Sequence, residues 1–495
     1  TAVSSCISMS FIDITVLPVA LPTIQRDLNI SELGLQWIIN AYTLALTIFL
    51  MAGGRFGDRY GHRKIFCWGL LIFALGSALC GLSYSQWWFI VSRMIQGVGG
   101  AMIIPTSTSI IFNAFPPEQR GKAMGLYVSI GSIFLALGPF IGGVFSEYLS
   151  WRLVFWINLP IAVIGFLLTL FSVQKSESHY RYFDIIGFLT SSIGISAIIV
   201  ALMETKNWGW LSPWTIGLGT LGIFLLFLLW KVDRKVEDPY INFSLFKSST
   251  FIGCNIAIFC VQFVVMVTVF WAIYFQNVFH YSPAQAGALS LLSNLPVMIA
   301  APFGGHLMDK RGPRLPMIIG FLCIAISLFW FLQNLETHST LILLSAIIPF
   351  GFGIPLVLTP SFTTAMAEIA PERRGLTTGT ISMLRQFGAT IGLAILGSVF
   401  LNVQGTQFSE DLKLNTETVQ LSAKEFQGLL SKTPEALEKL KTLSKQGQAF
   451  IEQSFLTSYI NGFWAINVLA LVTALIGLGF VIWLVKKKTR PEIEM

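Results

Sequence analysis

The chain has 495 residues, of which 54% are hydrophobic and only 12% charged, with a formal charge of +7. A soluble domain carries about 25% charged residues, so this composition excludes an ordinary globular enzyme. A mean hydropathy of +0.70 and apolar runs recurring from end to end identify a polytopic helical membrane protein.

Fourteen spanning helices are expected, at 3–24, 34–53, 65–84, 87–111, 122–146, 153–173, 184–203, 212–231, 251–275, 283–307, 315–333, 340–362, 375–402 and 457–485. The 32 Lys and Arg residues are unevenly placed: the short loops on one side hold only Arg26, Arg152 and Lys206. That bias is the positive-inside pattern, which sets both termini in the cytoplasm. The basic balance therefore concerns topology and not nucleic acid. The six cysteines, Cys6, Cys67, Cys80, Cys254, Cys260 and Cys323, lie in or at the ends of spans without zinc or CxxC spacing. His280, His306 and His338 lie near span ends, also without metal spacing, and no cofactor or metal is expected. The first segment lacks a basic start, so it is not read as a cleavable signal.

The first span, Phe11-Ile-Asp-Ile-Thr-Val-Leu-Pro-Val-Ala-Leu-Pro-Thr-Ile24, carries Asp13 inside an apolar run. A charge at that depth costs roughly 2.5–3.5 kcal/mol and marks a proton, ion or cationic-ligand function. The second span places Gln36, Asn40, Thr43 and Thr47 on one helical face, which points to a cavity or to another helix. The fourth span carries a second embedded charge, Arg93, with Gln96, Gly97 and Gly100 at i+3, i+4 and i+7. A buried Arg needs an acceptor, and Asp13 is the candidate within the same half. The pair reads either as a static ion pair or as a switch in which Asp13 takes a proton when its partner turns away, because low dielectric disfavours an unpaired carboxylate.

The loop after the second span reads Gly54-Arg-Phe-Gly-Asp58-Arg59-Tyr-Gly61-His-Arg63-Lys64, and its spacing returns 251 residues later as Gly305-His-Leu-Met-Asp309-Lys310-Arg-Gly312-Pro-Arg314. A second pair, Pro117-Glu-Gln-Arg120-Gly121 and Pro371-Glu-Arg-Arg374-Gly375, repeats at 254. Two loops at nearly one offset mean two homologous halves. The expected division is a six-helix bundle at 1–173, a two-span linker at 174–250 and five spans of a second bundle at 251–402. An extracytoplasmic, partly helical segment follows at 403–455, where Thr433-Pro434-Glu435 reads as a helix cap, then a last span with a basic tail at 456–495.

These motifs resemble the major facilitator superfamily, and within it the fourteen-span drug:proton antiporters. The Gly54–Lys64 loop is similar to the superfamily signature between spans two and three. Arg93-Met-Ile-Gln96-Gly97-Val-Gly-Gly100-Ala101 resembles the fourth-span motif, and Gly138-Pro139-Phe-Ile-Gly142-Gly143 the antiporter motif of span five. Asp13-Ile-Thr-Val-Leu-Pro-Val-Ala-Leu-Pro22, Trp151-Arg152 and Asn158-Leu-Pro160 fit the fourteen-span group. Two positions depart from it: Pro18 stands where Asn is usual, and Phe134 where the antiporter motif has Gly.

The resemblance implies an all-α fold of two six-helix bundles plus two linker spans, working by alternating access. It implies a proton-coupled exporter of amphiphilic small molecules in the cell membrane, driven by the proton gradient. The expected partners are substrate, protons and lipid, for a monomer with room for an accessory periplasmic partner. Asp13 and Arg93 are the expected proton-coupling pair. Gly54, Asp58, Arg59, Gly61 and Arg63, with Gly305, Asp309, Gly312 and Arg314, would latch the cytoplasmic side. Gln36, Asn40, Gln262, Trp271, Asn294, Arg385 and Gln386 are candidates to line the substrate cavity, with Phe270 and Phe275 beside them.

No counterpart of Asp13 or Arg93 stands in the second half, and no carboxylate lies deep in the later spans. That favours neutral, monovalent or anionic substrates over dications. The alternative is a dedicated exporter of one metabolite, such as a siderophore, lipid or organic anion. A membrane enzyme built on 403–455 is disfavoured, because that segment has no His, Cys or paired-acid constellation, and a channel is disfavoured by the duplicated loops.

Overall fold

The structure, a computed structural model, describes residues 2–115, 117–174, 183–233, 240–241, 246–337, 339–367, 374–413 and 444–486. The motif residues 371–373, the cap at 433–435 and the basic tail beyond 486 lie outside them.

The first half comprises α1 (Ala2–Leu28), α2 (Glu32–Tyr60), α3 (His62–Gly81), α4 (Gln86–Ala114), α5 (Pro117–Tyr148), the short α6 (Leu153–Trp156) and α7 (Asn158–Ser172). The linker forms α8 (Ile185–Met203), the short α9 (Thr205–Trp208) and α10 (Pro213–Asp233). The second half comprises α11 (Ser249–Val265), α12 (Val267–Asn277), α13 (Pro283–Arg311), α14 (Arg314–Gln333), α15 (Thr340–Ala367), α16 (Arg374–Lys413) and α17 (Lys445–Leu484). Helices stand at all fourteen expected positions. Among the described residues, twelve stretches are long and apolar enough to cross a bilayer; α1 and α5 do not reach that measure.

Hydroxyls set the starts of these helices. Ser31, Ser85, Ser248 and Ser444 accept from backbone N–H groups at the first turns of α2, α4, α11 and α17. At α13, Ser282 and Gln285 cap each other reciprocally, with Pro283 at the first turn. Gly61 and Gly312 end α2 and α13 at φ of 91° and 83°, a conformation that other residues adopt only under strain. Both glycines belong to the duplicated loop, so the sharp turn is duplicated with it.

Close approach of backbones holds the first half together. A Cβ on Gly97 would lie 2.6 Å from the carbonyl oxygen of Tyr42, and one on Gly76 would lie 2.5 Å from the amide of Gln96. α4 therefore packs tightly on both α2 and α3, as small residues allow in membranes. The second half has an aromatic core instead. Trp271 stacks on Phe331 at 5.1 Å between centroids, and Tyr274 on Phe463 at 4.3 Å.

The halves meet along α5 with α13, α2 with α16, and α1 with α12. At the end bearing the turns 29–31 and 278–282, Gln276 Nε2 donates to the carbonyl of Val19 at 3.0 Å, and the amide of Ala284 to Glu147 Oε2 at 2.9 Å. Bonds from Ser282 and Ala284 hold the Glu147 carboxyl below the usual carboxylate range. At the opposite end no comparable packing joins α4 to α15 or α16 among the described residues. Among the described residues the halves are bonded at the first end, and α4 stands parted from α15 and α16 at the second.

Candidate functional site

The site is built on α1 and α4. Asp13 and Arg93 are 0% and 1% exposed, and Arg93 Nη1 donates to Asp13 Oδ2 at 2.5 Å. Gln96 lies one turn beyond Arg93 and joins both charges: its Oε1 accepts from Arg93 at 2.6 Å, while its Nε2 donates to Asp13 Oδ1 at 2.8 Å. Ser77 on α3 also accepts from Gln96 at 2.7 Å and from Asn158 of α7 at 3.1 Å. The guanidinium lies 4.3 Å from the Tyr42 ring centroid, and its Nε reaches the carbonyl of Ile38 at 3.2 Å. Five helices thus supply one buried polar cluster in which each charged group has several partners. Such a cluster is stable when complete and costly when broken.

The sequence singled out Asp13 and Arg93. It does not single out Tyr42 or Ser77, and it gives Asn158 and Gln96 only as members of family motifs and Gln96 as part of a packing stripe. The i+3 spacing of Gln96 from Arg93 was the one available signal, since neutral polar residues are common in spans.

The antiporter motif sits where α5 passes between the halves. A Cβ on Gly138 or Gly142 would lie 2.0 Å from Thr15 Oγ1 or 2.4 Å from the Val16 carbonyl, both on α1. Gly143 meets Pro283 and Ala284 of α13 in the same way, at 2.4 and 2.7 Å, and Pro139 approaches Gly287 of α13. The motif brings the helix that carries Asp13 and the opposite half against one backbone. Gly143→Val is therefore expected to lower the thermal midpoint of the purified protein, by about 1–3 kcal/mol of overpacking. Gly405→Val, at a position with open space around it, is the control that should leave the midpoint unchanged.

Two arginines of the duplicated loops bond within their own halves. Arg63 donates to the carbonyl of Leu170 near the end of α7 at 2.5 Å, and Arg314 donates to that of Ile482 near the end of α17. Each loop so caps the last helix of its own bundle. Asp58 lies 3.3 Å from His62 in the same loop, and Arg59 stands over Tyr60. Gly54 lies beside Pro105, Gly305 faces open space, and Asp309 is exposed.

The expected cavity residues separate into groups. Gln36 and Asn40 do not line a cavity. Asn40 is bonded to Met203 of α8 at 2.9 Å, and Gln36 is buried against Gly397 of α16. With Thr47 bonded to Thr390 at 3.1 Å, the polar face of α2 is a seam to α16 and the linker. Thr205 bonds Ser398, and Trp37 Nε1 donates to Glu204 Oε1 at 2.9 Å, so the linker fastens to both halves. Trp271 belongs to the aromatic core, with its indole N–H 3.4 Å from Asn467 Oδ1, and Phe270 and Phe275 are buried as well. Asn294 is half-buried and donates to the carbonyl of Ser290, and Gln262 is half-buried on α11. Gln386 is buried, whereas Arg385 beside it is exposed.

At the closed end, Asp27 accepts from Trp151 Nε1 at 2.9 Å and from Arg152 Nη1 at 2.8 Å. The Trp151 bond most strongly holds the Asp27 carboxyl below the usual range; partial burial opposes it and Arg152 adds to it. A lowered carboxylate stabilises the fold above its unfolded value and loses that contribution as pH falls through the folded one. The difference in thermal midpoint between wild type and Asp27→Asn should stay within about 1 kcal/mol at neutral pH, because the pair is exposed. It should vanish once pH falls well below about 3.9.

No group of His, Cys, Asp and Glu among the described residues is arranged to hold a metal, and the five described cysteines form no disulfide.

The family model for the Major Facilitator Superfamily matches residues 3–183 and 184–393. The chain is 34% identical over 403 residues to the multidrug resistance protein Stp of Mycobacterium tuberculosis, covering 79% of this chain and 73% of that one. It is 31% identical to multidrug resistance protein 3 of Bacillus subtilis over 80% of this chain and 78% of that one. It is 30% identical to the riboflavin transporter RibZ of Clostridioides difficile over 84% and 90%. Among solved structures, a bacterial homolog of the human lysosomal transporter Spinster, inward-facing and occupied, superposes with a TM-score of 0.67. That match covers 99% of this chain and 97% of that one at 17% identity, a likeness of fold.

Proposed function

The chain belongs to the Major Facilitator Superfamily of transporters, and from that premise we propose that it is a proton-coupled exporter of amphiphilic small molecules. The observation that carries this reading is the buried Asp13–Arg93 pair, joined at 2.5 Å and bridged by Gln96. Among the described residues it is the one buried ion pair of the first half. The names of the multidrug resistance relatives support export of drug-like compounds.

In this reading both termini face the cytoplasm of a cell-membrane protein with fourteen spans, and the parted end opens inward. The paired, charge-neutral cluster is the proton-released state that loads substrate. Movement to the outward state turns Arg93 away, and Asp13 then takes a proton from outside. Its neutral form no longer holds Arg93, which favours return. When the cytoplasmic end closes, the loops at Gly54–Arg63 and Gly305–Arg314 come together as its latch. No cofactor takes part, and the protein works as a monomer.

The test is dye transport in proteoliposomes with an imposed pH gradient. Uptake should follow the gradient and stop when an ionophore collapses it; uptake indifferent to the gradient would refute proton coupling. A second reading, a dedicated exporter of one metabolite, draws on the lack of a second embedded carboxylate. A competition panel of cationic, neutral and anionic dyes separates the two: broad competition supports the first reading, and a single inhibitory class the second.

A further inference from the structure

The faces of α16 are almost all occupied. Gly388 and Gly392 lie against Phe259 and Phe263 of α11, where a Cβ would approach within 2.7 and 2.8 Å. Thr390 bonds Thr47 of α2, and Met383 is buried with Ile195 and Met203 of α8. Arg385 stands one and two turns before Gly388 and Gly392 on the same helix. Its side chain is exposed, although it stands eleven residues, about 17 Å, inside the helix, and it interacts electrostatically with Tyr127 of α5 in the other half. It therefore projects into the space between the halves. Across that space is Tyr127 of α5, whose hydroxyl lies 2.6 Å from Ser107 of α4.

Among the described residues Arg385 makes no hydrogen bond and no ion pair. The acid nearest to Tyr127 along α5 is Glu118, nine residues and about 14 Å of helix away. The one carboxylate within the first half's spans, Asp13, is fully buried and already bound by Arg93 and Gln96. The central space thus holds an accessible guanidinium with no counter-ion among the described residues. An intramembrane cation facing a cavity marks a ligand path, and the planar donor fork of Arg matches a carboxylate, sulfonate or phosphate.

We propose that Arg385 is the substrate anchor of the central cavity and that the exported amphiphile carries an anionic group which it binds. This rests on the export reading above and names its substrate class.

The test titrates a xanthene dye bearing a free carboxylate, and its methyl ester, into the purified full-length protein, following fluorescence anisotropy without any gradient. Wild type should bind the carboxylate dye about tenfold to about hundredfold more tightly than the ester, the range for a hydrogen bond to a charged group. Arg385→Gln should lose that preference while binding the ester as wild type does, which also shows that the variant is folded. Arg385→Lys should keep most of it. Equal binding of the two dyes by wild type, no binding of the carboxylate dye, or a preference that survives Arg385→Gln would overturn the proposal. Loss of gradient-driven transport with the preference intact would strike the export reading and leave the anion site standing.

Discussion

Asp13→Asn is expected to reduce pH-gradient-driven transport to the level of empty vesicles while leaving dye binding in place. Asparagine fills nearly the same volume and its Oδ1 can still accept from Arg93, although its Nδ2 cannot accept from Gln96, so part of the contact of α1 with α4 persists. It cannot take up a proton, and the cycle loses its charge switch. The substitution also leaves Arg93 without a counter-charge. Its bonds to Ile38 and Gln96, and the Tyr42 ring 4.3 Å away, offset part of that cost. Removing one partner of a buried pair costs about 3–5 kcal/mol, so transport has to be normalised to the amount of dye-binding protein. The double variant Asp13→Asn/Arg93→Gln removes both charges and should recover much of the thermal midpoint without recovering coupling. Full gradient-driven activity in Asp13→Asn would remove the proton role from this residue.

The pattern of what the sequence disclosed follows from the contrast each residue makes with its surroundings. Asp13 and Arg93 stand out because an apolar span makes any charge conspicuous, and both lie in one half. Gln96, Tyr42, Ser77 and Asn158 complete the same cluster, but neutral polar and aromatic side chains in spans also serve as packing and interfacial groups. The duplicated loops were legible as a repeat, because glycine, acid and base return at fixed spacing. Their contacts were not, since Arg63 and Arg314 bond the backbone carbonyls of Leu170 and Ile482, and a carbonyl leaves no mark in the sequence.

The same limit explains the cavity residues. Periodicity placed Gln36, Asn40, Thr43 and Thr47 on one face of α2, and the face is real. Periodicity carries no information on what lies opposite, and α8 and α16 lie there. Trp271 and its neighbours failed as cavity residues for a related reason: an aromatic stripe reads alike whether it faces lipid, ligand or core. The linker bonds to both halves at the α2–α16 seam through Glu204, Thr205 and Met203, partners that its own sequence does not reveal.

Locking the closed end is expected to stop transport altogether and reversibly. Gln276 of α12 reaches the backbone of Val19 of α1 at 3.0 Å, so the two helices touch across the halves at this point. In the alternating-access reading proposed above, they have to part whenever the outer side opens. In Val19→Cys/Gln276→Cys, oxidation or a short bifunctional thiol reagent should arrest dye transport at the background level, and a reducing agent should restore it after oxidation. Both positions lie away from Asp13 and from Arg385, so dye binding from the parted side should survive the lock. That separates a trapped conformation from a damaged site. The native cysteines complicate the reading little, since Cys80, Cys254 and Cys260 are buried, and the single variants control for the rest. Undiminished transport in the fully cross-linked protein would mean that α1 and α12 stay together throughout the cycle. The outer gate would then have to be sought along α2 and α16, where Thr47 meets Thr390 and the linker is fastened.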